Sequence, residues 1–334
     1  AAQGRPEPRR RWPGGRAVTA VAGARDQRAR VGAVELAYDV IGDRTRGRPL
    51  VLIMGIGAQR VMWDDELCAQ LVAAGFCVVR FDHRDIGESS RVDAPVPDPR
   101  AAIVRRLFGV RVRAPYTLSD MAADVVGLIG ALGLGSAHVV GASLGGMVGQ
   151  HLAIEHPGKI RSLVSIMSSP GARRYLPDPR AMGALFRKPP RTAEEAGRHV
   201  EGVFRTIGSP AFPTDGARLR AIGERAYARG LSPRGFLRQF AAILASGDRR
   251  PRLRAVQVPT LIIHGSRDPL IPVEAGRDLA ALMPAATWLP IAGMGHDLPP
   301  ALWPTLVAAI ARHAERADAR AAAAAQAAGG PVAA

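Results

Sequence analysis

The segment HVVGASLGGMVGQHLA (residues 138–153) constrains the fold more than any other part of this 334-residue chain. It places Gly141, Gly145 and Gly146 around Ser143, between a valine-rich run and an apolar run. Because glycine weakens both strands and helices, three of them within six positions need a local reason. A tight strand-to-helix turn that exposes a serine between close backbones provides one, and an ordinary glycine-rich connection is the alternative. We therefore predict a strand, a sharp turn at Ser143 and a helix.

Strand-like and helix-like segments alternate on both sides of this turn. The run PLVLIMG (residues 49–55) is apolar throughout, as expected for a strand buried on both faces of a sheet. Residues 117–135 instead have apolar side chains at helical spacing and end in glycines. This alternation predicts an α/β fold with a mostly parallel, doubly wound sheet, formed by residues 31–169 and 253–315.

Three segments fall outside this pattern. Residues 170–252 contain nine prolines between helical pieces and no convincing strand, which predicts a helical cap inserted into the core. Residues 1–30 are rich in Arg, Pro and Gly, and we expect them to be a disordered basic extension. Residues 316–334 form an alanine-rich tail of low complexity.

The formal net charge of +16 is concentrated in two parts of the chain. Residues 1–30 hold eight arginines and two acidic residues, and residues 170–254 hold eighteen basic and seven acidic residues. No basic stripe interleaved with aromatic residues and no nucleic-acid-binding motif accompanies this charge. We therefore expect no nucleic-acid partner.

The sequence gives only weak evidence of where in the cell the protein is located. No apolar run approaches the roughly 20 residues that cross a bilayer, so stable membrane insertion is not expected. The stretch RRRWPGGRAVTAVAGA (residues 9–24) imitates a secretion signal poorly, because its apolar part is short. Cys68 and Cys77 lie in apolar contexts without disulfide or metal spacing. These observations favour a cytoplasmic protein with two buried free thiols, with export as a weaker alternative.

Two further polar residues follow predicted strands, as a nucleophilic serine would require. A serine attacks poorly unless a base removes its proton, and the base needs an orienting acid. Asp268 follows the strand in LIIHGSRDPLIP, and His296 lies in the glycine-rich loop LPIAGMGHDLP after the next strand. The chain order Ser143, Asp268, His296 is the order expected on an α/β-hydrolase scaffold. We predict these three residues as nucleophile, acid and base.

The loop LIMGIGAQ (residues 52–59) is the fourth candidate site segment. Acyl transfer needs two N–H donors directed at the developing oxyanion. The N–H of Leu144 directly follows the nucleophile, and Gly55 and Gly57 would let the N–H of Ile56 face the same point. We therefore predict Ile56 and Leu144 as oxyanion donors, with a plain strand-to-helix turn as the alternative for the first.

Other polar residues are interpreted as structural. His138 lies in a strand, His151 in a helix and His264 at a strand end, positions where a histidine is more often a packed core residue. Asp82 and Arg84, in FDHRDIGES, are expected to hold their own loop.

These motifs resemble the α/β-hydrolase superfamily over residues 31–315. Residues 55–90, 141–153 and 291–299 are similar to actinobacterial esterases of the aclacinomycin methylesterase-like group. The resemblance implies the same nucleophile, acid, base and oxyanion donors, with no metal and no organic cofactor. The wider superfamily often has His-Gly before the oxyanion loop where this chain has Met54-Gly55, a feature that the methylesterase-like group shares.

The leading hypothesis is a serine carboxylic-ester hydrolase of small to medium esters, acting through an acyl-enzyme on a small-molecule substrate. A serine nucleophile argues against epoxide hydrolases and haloalkane dehalogenases of this fold, which use aspartate. One alternative is a specialised methyl-esterase or lactonase for a polyketide or aromatic substrate. An alternative of another class is a non-catalytic ligand receptor that kept the scaffold. The sequence makes no prediction of the oligomeric state.

The cap is the least readable region for substrate choice. Its aromatic and apolar side chains are expected to fill the cap's own core while its arginines face solvent. The competing hypothesis is a basic rim that recruits anionic or phenolic esters, or a membrane surface. The side chains concerned are Tyr175, Leu185, Phe186, Phe204, Phe212, Tyr227, Phe236 and Phe240.

Overall fold

The computed structural model describes residues 23–328, which contain one eight-stranded sheet with helices on both faces. The strand order is β1-β2-β4-β3-β5-β6-β7-β8. The neighbours from β4 to β8 pair in parallel, and β2 runs antiparallel to both β1 and β4. The strands are β1 (Gly23–Val31), β2 (Val34–Ile41), β3 (Arg48–Ile53), β4 (Phe76–Phe81), β5 (Ala137–Ala142), β6 (Ile160–Ile166), β7 (Thr260–Gly265) and β8 (Ala286–Ile291).

The described residues form eleven α-helices, five of which cover the two faces of the sheet. Helices α3, α4 and α10 pack on one face, and α1 and α11 pack on the other, each over its own apolar cluster. The predicted doubly wound, mostly parallel sheet is therefore confirmed. The helices are α1 (Asp65–Ala73), α2 (Pro99–Leu107), α3 (Leu118–Ala131), α4 (Leu144–Glu155), α5 (Pro179–Leu185), α6 (Ala193–Ile207), α7 (Gly216–Ala228), α8 (Pro233–Ser246), α9 (Arg250–Leu253), α10 (Val273–Leu282) and α11 (Trp303–Ala328).

The central strands are continuous apolar runs because both of their faces are covered. Every residue of β4, β5 and β7 is buried. In the parallel register Val51 of β3 lies beside Val139 of β5, which lies beside Leu163 of β6. This register aligns the carboxyl ends of the strands, so the loops that follow them open on one edge of the sheet.

Residues between β6 and β7 form a helical layer, α5 to α9, over that edge. Arginines of this cap dock it by binding core carboxylates, so much of its positive charge is engaged with the core. The ion pairs are Arg218 with Asp64 (2.7 Å), Arg229 with Asp82 (2.6 Å) and Arg238 with Asp85 (3.0 Å).

The prediction that residues 1–30 are disordered is wrong for residues 23–30, which belong to β1. The side chains of this edge strand are mostly exposed, so its sequence lacks the apolar alternation that marks a half-buried strand. The strand is held instead by its backbone ladder with β2 and by polar contacts of Asp26. The Asp26 N–H donates to Asp39, and the Asp26 carboxylate binds Arg60 at 2.5 Å. The rest of the predicted extension lies outside the described residues.

The core was predicted to end at residue 315, but the structure continues its last helix into the alanine-rich C-terminal segment. Helix α11 continues to Ala328, and within it Ala317 is buried. Asp318 lies 3.3 Å from the His138 ring, which attaches this part of the helix to β5. Alanine has the highest helix propensity, so a low-complexity composition here extends a packed helix. Among residues 23–328, no helix is both long and apolar enough to cross a membrane.

The turn at Ser143 gives a stability test. A Cβ at Gly145 would lie 2.0 Å from the Ile53 carbonyl oxygen, so Gly145→Ala should lower the free energy of unfolding by more than about 3 kcal/mol. Gly130 is the matched control, because it is helical and exposed and a Cβ there meets nothing within 4 Å. Gly130→Ala should stabilise by about 0.5–1 kcal/mol. Denaturant unfolding measures both, and equal effects would contradict the close approach of the two backbones.

Candidate active site

Four loops at the carboxyl ends of parallel strands carry the predicted site residues. Ile56 follows β3, Ser143 follows β5, Asp268 follows β7 and His296 follows β8. In the sheet β3 is beside β5 and β7 is beside β8, and only β6 separates the two pairs, so the loops that follow these four parallel strands converge on the edge that the cap covers.

Ser143 occupies the turn from β5 to α4 in a backbone conformation that non-glycine residues rarely adopt. Its φ of 55° and ψ of −117° lie in the left-handed region, at a cost of about 1–3 kcal/mol. The Ser143 N–H donates to the Ile166 carbonyl (2.9 Å), and the Ser143 carbonyl accepts from the Ser168 hydroxyl (2.9 Å). The neighbouring β6 segment therefore holds the strained turn in place.

Asp268 and His296 form a buried hydrogen-bonded pair. The His296 Nδ1–H donates to Asp268 Oδ2 at 2.7 Å, and the N–H groups of Leu270 and Ile271 both donate to Oδ1 at 2.9 Å. Burial alone would raise the pKa of Asp268, but His296 and His264 hold that pKa below its ordinary value of 3.8. The ionised carboxylate fixes the ring, which leaves Nε2 as the nitrogen available to a reacting group.

The cap also positions the histidine loop. The N–H of His296 donates to the carbonyl of Ile207, the last residue of α6, at 2.7 Å. The N–H of Gly295 donates to the Ser209 hydroxyl (2.9 Å), and that hydroxyl donates to the Asp297 carboxylate. Burial raises the pKa of Asp297. Sequence reasoning missed Ser209 and Asp297, and only the position of Asp297 beside His296 signalled a role.

The backbone of residues 54–57 forms one side of the candidate oxyanion site. A Cβ placed on Gly55 would lie 3.4 Å from Cβ of Ser143, so this loop passes directly beside the serine. The N–H groups of Ile56 and Leu144 have no acceptor within the described part of the chain. The side chain of Leu144 is fully buried, and its N–H is in the first turn of α4, where N–H groups lack helical partners.

Two side chains fix this loop, and sequence reasoning named neither. From the core, the Nε2–H of His83 donates to the Met54 carbonyl at 3.0 Å. From the cap, Oε1 of the buried Gln239 accepts from the Gly57 N–H at 2.8 Å. Burial lowers the pKa of His83 to about 4, so its ring is neutral near pH 7. The position of His83 two residues after the end of β4 was the available signal, whereas nothing in the sequence pointed to Gln239.

Ser143, His296 and Ile56 line one large apolar cavity between core and cap, with a volume of about 950 Å³. Cap aromatics line the cavity and pack edge to face, with Phe186 5.3 Å from Phe236 and 5.0 Å from Phe240 between ring centroids. The aromatic side chains of the cap therefore line the cavity as well as pack against one another. Within residues 23–328 the Ser143 hydroxyl makes no hydrogen bond to His296. Such bonds are often long before substrate binds.

The residues interpreted as structural form contacts of their own. His264 lies 3.4 Å from Asp268 and donates to the Ile271 carbonyl at 2.8 Å, so it supports the acid loop. His138 contacts the Ser162 hydroxyl (2.9 Å). The other contacts are His151 with Glu155 (2.9 Å), Arg84 with Asp124 (2.6 Å) and Asp82 with Arg60 (2.5 Å). Across the described ranges, no three His, Cys, Asp or Glu side chains form a metal-binding group.

His83 predicts a pH dependence of stability. Its pKa is about 4 in the folded protein and about 6.5 when unfolded, so between these values the unfolded chain binds more protons. Stability should fall as the pH decreases from 6.5 to 4, with up to about 1.4 kcal/mol per pH unit from this group. The His83→Gln side chain still has an N–H donor but does not titrate. As the pH decreases from 6.5 to 4, the free energy of unfolding of this variant should therefore fall less steeply than that of the parent. Urea unfolding at a series of pH values measures both. Equal slopes for parent and variant would refute the assignment.

Comparisons with known proteins identify the family of the chain. Residues 48–299 match the family described as alpha/beta hydrolase fold. Rhodomycin D methylesterase DnrP of Streptomyces peucetius is 30% identical over 292 residues, which cover 79% of this chain and 90% of the relative. RutD of Caulobacter segnis, named as a proposed carbamate hydrolase, is 30% identical over 270 residues, 78% of this chain and 89% of the relative.

A solved structure shows the same fold. The enol-lactonase of Burkholderia xenovorans LB400 superposes with a TM-score of 0.66 at 22% identity, covering 86% of this chain and 99% of that chain. The resemblance to esterases of the aclacinomycin methylesterase-like group, predicted from the sequence, is confirmed by the methylesterase relative. The chain belongs to the α/β-hydrolase fold family.

Proposed function

We propose that this protein is a serine carboxylic-ester hydrolase whose substrates carry a bulky apolar group. The observation that carries the proposal is the convergence of the strained Ser143 and the His296–Asp268 pair on one cavity. A carboxylate-oriented imidazole and a serine held on a sharp turn are the parts that acyl transfer needs.

The proposed reaction has two steps. Oγ of Ser143 attacks the ester carbonyl carbon while Nε2 of His296 takes the hydroxyl proton, and the N–H groups of Ile56 and Leu144 bind the oxyanion. The C–O bond to the alcohol breaks, and the imidazolium returns the proton to the leaving alkoxide. Water then attacks the acyl-serine with His296 again acting as base. The products are the carboxylic acid, the alcohol and the regenerated serine.

The cavity favours a large substrate over a small one. Its volume of about 950 Å³ exceeds what a short acyl group fills, and its lining from core and cap is mainly apolar. The methylesterase relatives act, by their names, on rhodomycin D, so a methyl ester on an aromatic scaffold is the specialised form of this proposal. A simple carbamate would leave most of the cavity unfilled.

Ser143→Ala tests the nucleophile. We expect turnover of p-nitrophenyl esters and of methyl esters of polycyclic aromatic acids to fall by at least about a thousandfold. Ser136→Ala, at the other end of β5, is the matched control and should retain the parent rate. A p-nitrophenyl alkylphosphonate should label the parent at Ser143, as mass spectrometry of peptides can show.

A non-catalytic ligand receptor makes the opposite prediction. Such a protein would bind an apolar ester in the cavity with the same affinity in parent and Ser143→Ala, and neither would release product at an enzymatic rate. Serine-independent turnover would equally defeat the proposal.

His83 supplies a second test because it positions the oxyanion loop. His83→Ala removes the donor to the Met54 carbonyl and should lower kcat about 10- to 100-fold with little change in KM, since the loop acts in the transition state. His83→Gln keeps a donor and should recover most of kcat. A similar loss in both variants, or a change confined to KM, would contradict a positioning role.

A further inference from the structure

Helix α2 and the loop after it expose a continuous set of apolar side chains. Phe108 is 80% exposed, Leu107 56% and Val104 52%, and Ile103 and Val110 are also exposed. Most large apolar side chains of residues 23–328 are buried or half-buried, so five exposed ones within eight residues need an explanation. We name residues 100–113 the α2 patch.

The α2 patch is also strongly basic. Between residues 99 and 113 the chain has five arginines and no acidic residue. Within the part of the chain that the structure describes, none of the five guanidinium groups lies within 4.0 Å of a carboxylate, although the backbone N–H of Arg100 donates to Asp98, the N-cap of α2. This contrasts with the cap arginines Arg218, Arg229 and Arg238, which bind core carboxylates. The arginines of the patch are Arg100, Arg105, Arg106, Arg111 and Arg113.

The α2 patch adjoins the mouth of the cavity. Ile103, Arg106 and Leu107 line the cavity, whereas Val104, Phe108 and Val110 do not. On the cap side, the guanidinium of Arg173 donates to the Leu107 carbonyl at 3.3 Å, and the exposed Leu176 lines the same cavity. A surface bound to the patch would therefore face the cavity mouth.

We propose that the α2 patch binds the surface of an anionic phospholipid bilayer. Apolar side chains at the membrane interface enter the acyl boundary, and arginines beside them bind lipid phosphates. Because α2 has nine residues, it would lie on the membrane without crossing it. An apolar ester dissolved in the bilayer would then reach the cavity without passing through water.

Charge argues against the other occupants. Two copies of this chain joined through their patches would bring together ten arginines that have no carboxylate partner among residues 23–328, which is unfavourable. The phosphates of a nucleic acid would bind the arginines. Because protein–nucleic acid interfaces are predominantly polar, the apolar side chains of the patch would have no apolar surface to contact there. An anionic bilayer satisfies both parts of the patch.

The test is sedimentation of the full chain with vesicles of phosphatidylcholine alone or mixed with phosphatidylglycerol. We expect binding to the anionic vesicles, weakened by high salt. Arg105→Glu/Arg111→Glu should lower the partition coefficient at least about tenfold. Phe108→Ser/Val110→Ser should lower it several-fold at unchanged net charge. Neither pair lines the cavity, so hydrolysis of a water-soluble ester should be unaffected.

The matched control is Arg46→Glu/Lys159→Glu, which makes the same charge change at exposed positions before β3 and β6, on the opposite edge of the sheet. It should bind vesicles like the parent. The control matters because residues 1–22 contain five arginines that could also attract anionic lipid. Equal losses in the control and in Arg105→Glu/Arg111→Glu would overturn the proposal.

Two further outcomes would also overturn it. One is binding of an acidic protein or a DNA duplex, but not vesicles, through the patch. The other is a concentration-dependent dimer that Phe108→Ser/Val110→Ser disperses. The proposal does not depend on ester hydrolysis, so Ser143→Ala should sediment with anionic vesicles like the parent. Loss of ester hydrolysis in Ser143→Ala therefore tests the proposed function and leaves the membrane-binding proposal unaffected.

Discussion

The buried carboxylate of Asp82 connects three parts of the chain that are far apart in sequence. It accepts from the backbone N–H (2.6 Å) and the guanidinium (2.5 Å) of Arg60, and from the guanidinium of Arg229 in the cap (2.6 Å). The same Arg60 binds Asp26 of the edge strand β1. Removing one partner of a buried ion pair typically costs about 3–5 kcal/mol, because the other charge stays buried and unpaired. Asp82 therefore links the cap to the core directly through Arg229, and it supports Arg60, which in turn binds the first strand.

The same region couples cap docking to the candidate oxyanion site. The residues following Ile56 reach the cap through Gln239, which accepts from Gly57, and through Gln59, whose side chain donates to the Ala226 carbonyl (2.8 Å). On the core side His83 holds Met54. The loop is thus supported from both layers, by two contacts with the cap and one with the core, so the positions of its N–H groups depend on how the two layers are docked. The cap in this arrangement is part of the support of the site as well as a wall of the cavity.

Local patterns were sufficient to predict the sheet, the turn at Ser143 and the loops that carry Asp268 and His296. Each of these rests on residues within about one strand or one turn of each other. Strand β1 could not be predicted this way, because its stability comes from backbone pairing and from ion pairs such as Arg60 with Asp26, 34 residues away. The supports of the site, such as Gln239 for Gly57, join residues even farther apart. No periodicity in the sequence carries that information.

The role of each arginine is also something that the sequence alone does not predict. The composition records an excess of arginine but cannot distinguish an arginine that docks a helix from one that faces solvent. In the structure Arg238 is buried against Asp85, whereas Arg111, in the loop after α2, is exposed and has no carboxylate partner among residues 23–328. Burial turns the first into a structural ion pair, whose partner is fixed by the fold. Exposure leaves the second with a charge that no carboxylate of residues 23–328 compensates, so the fold of these residues assigns it no partner.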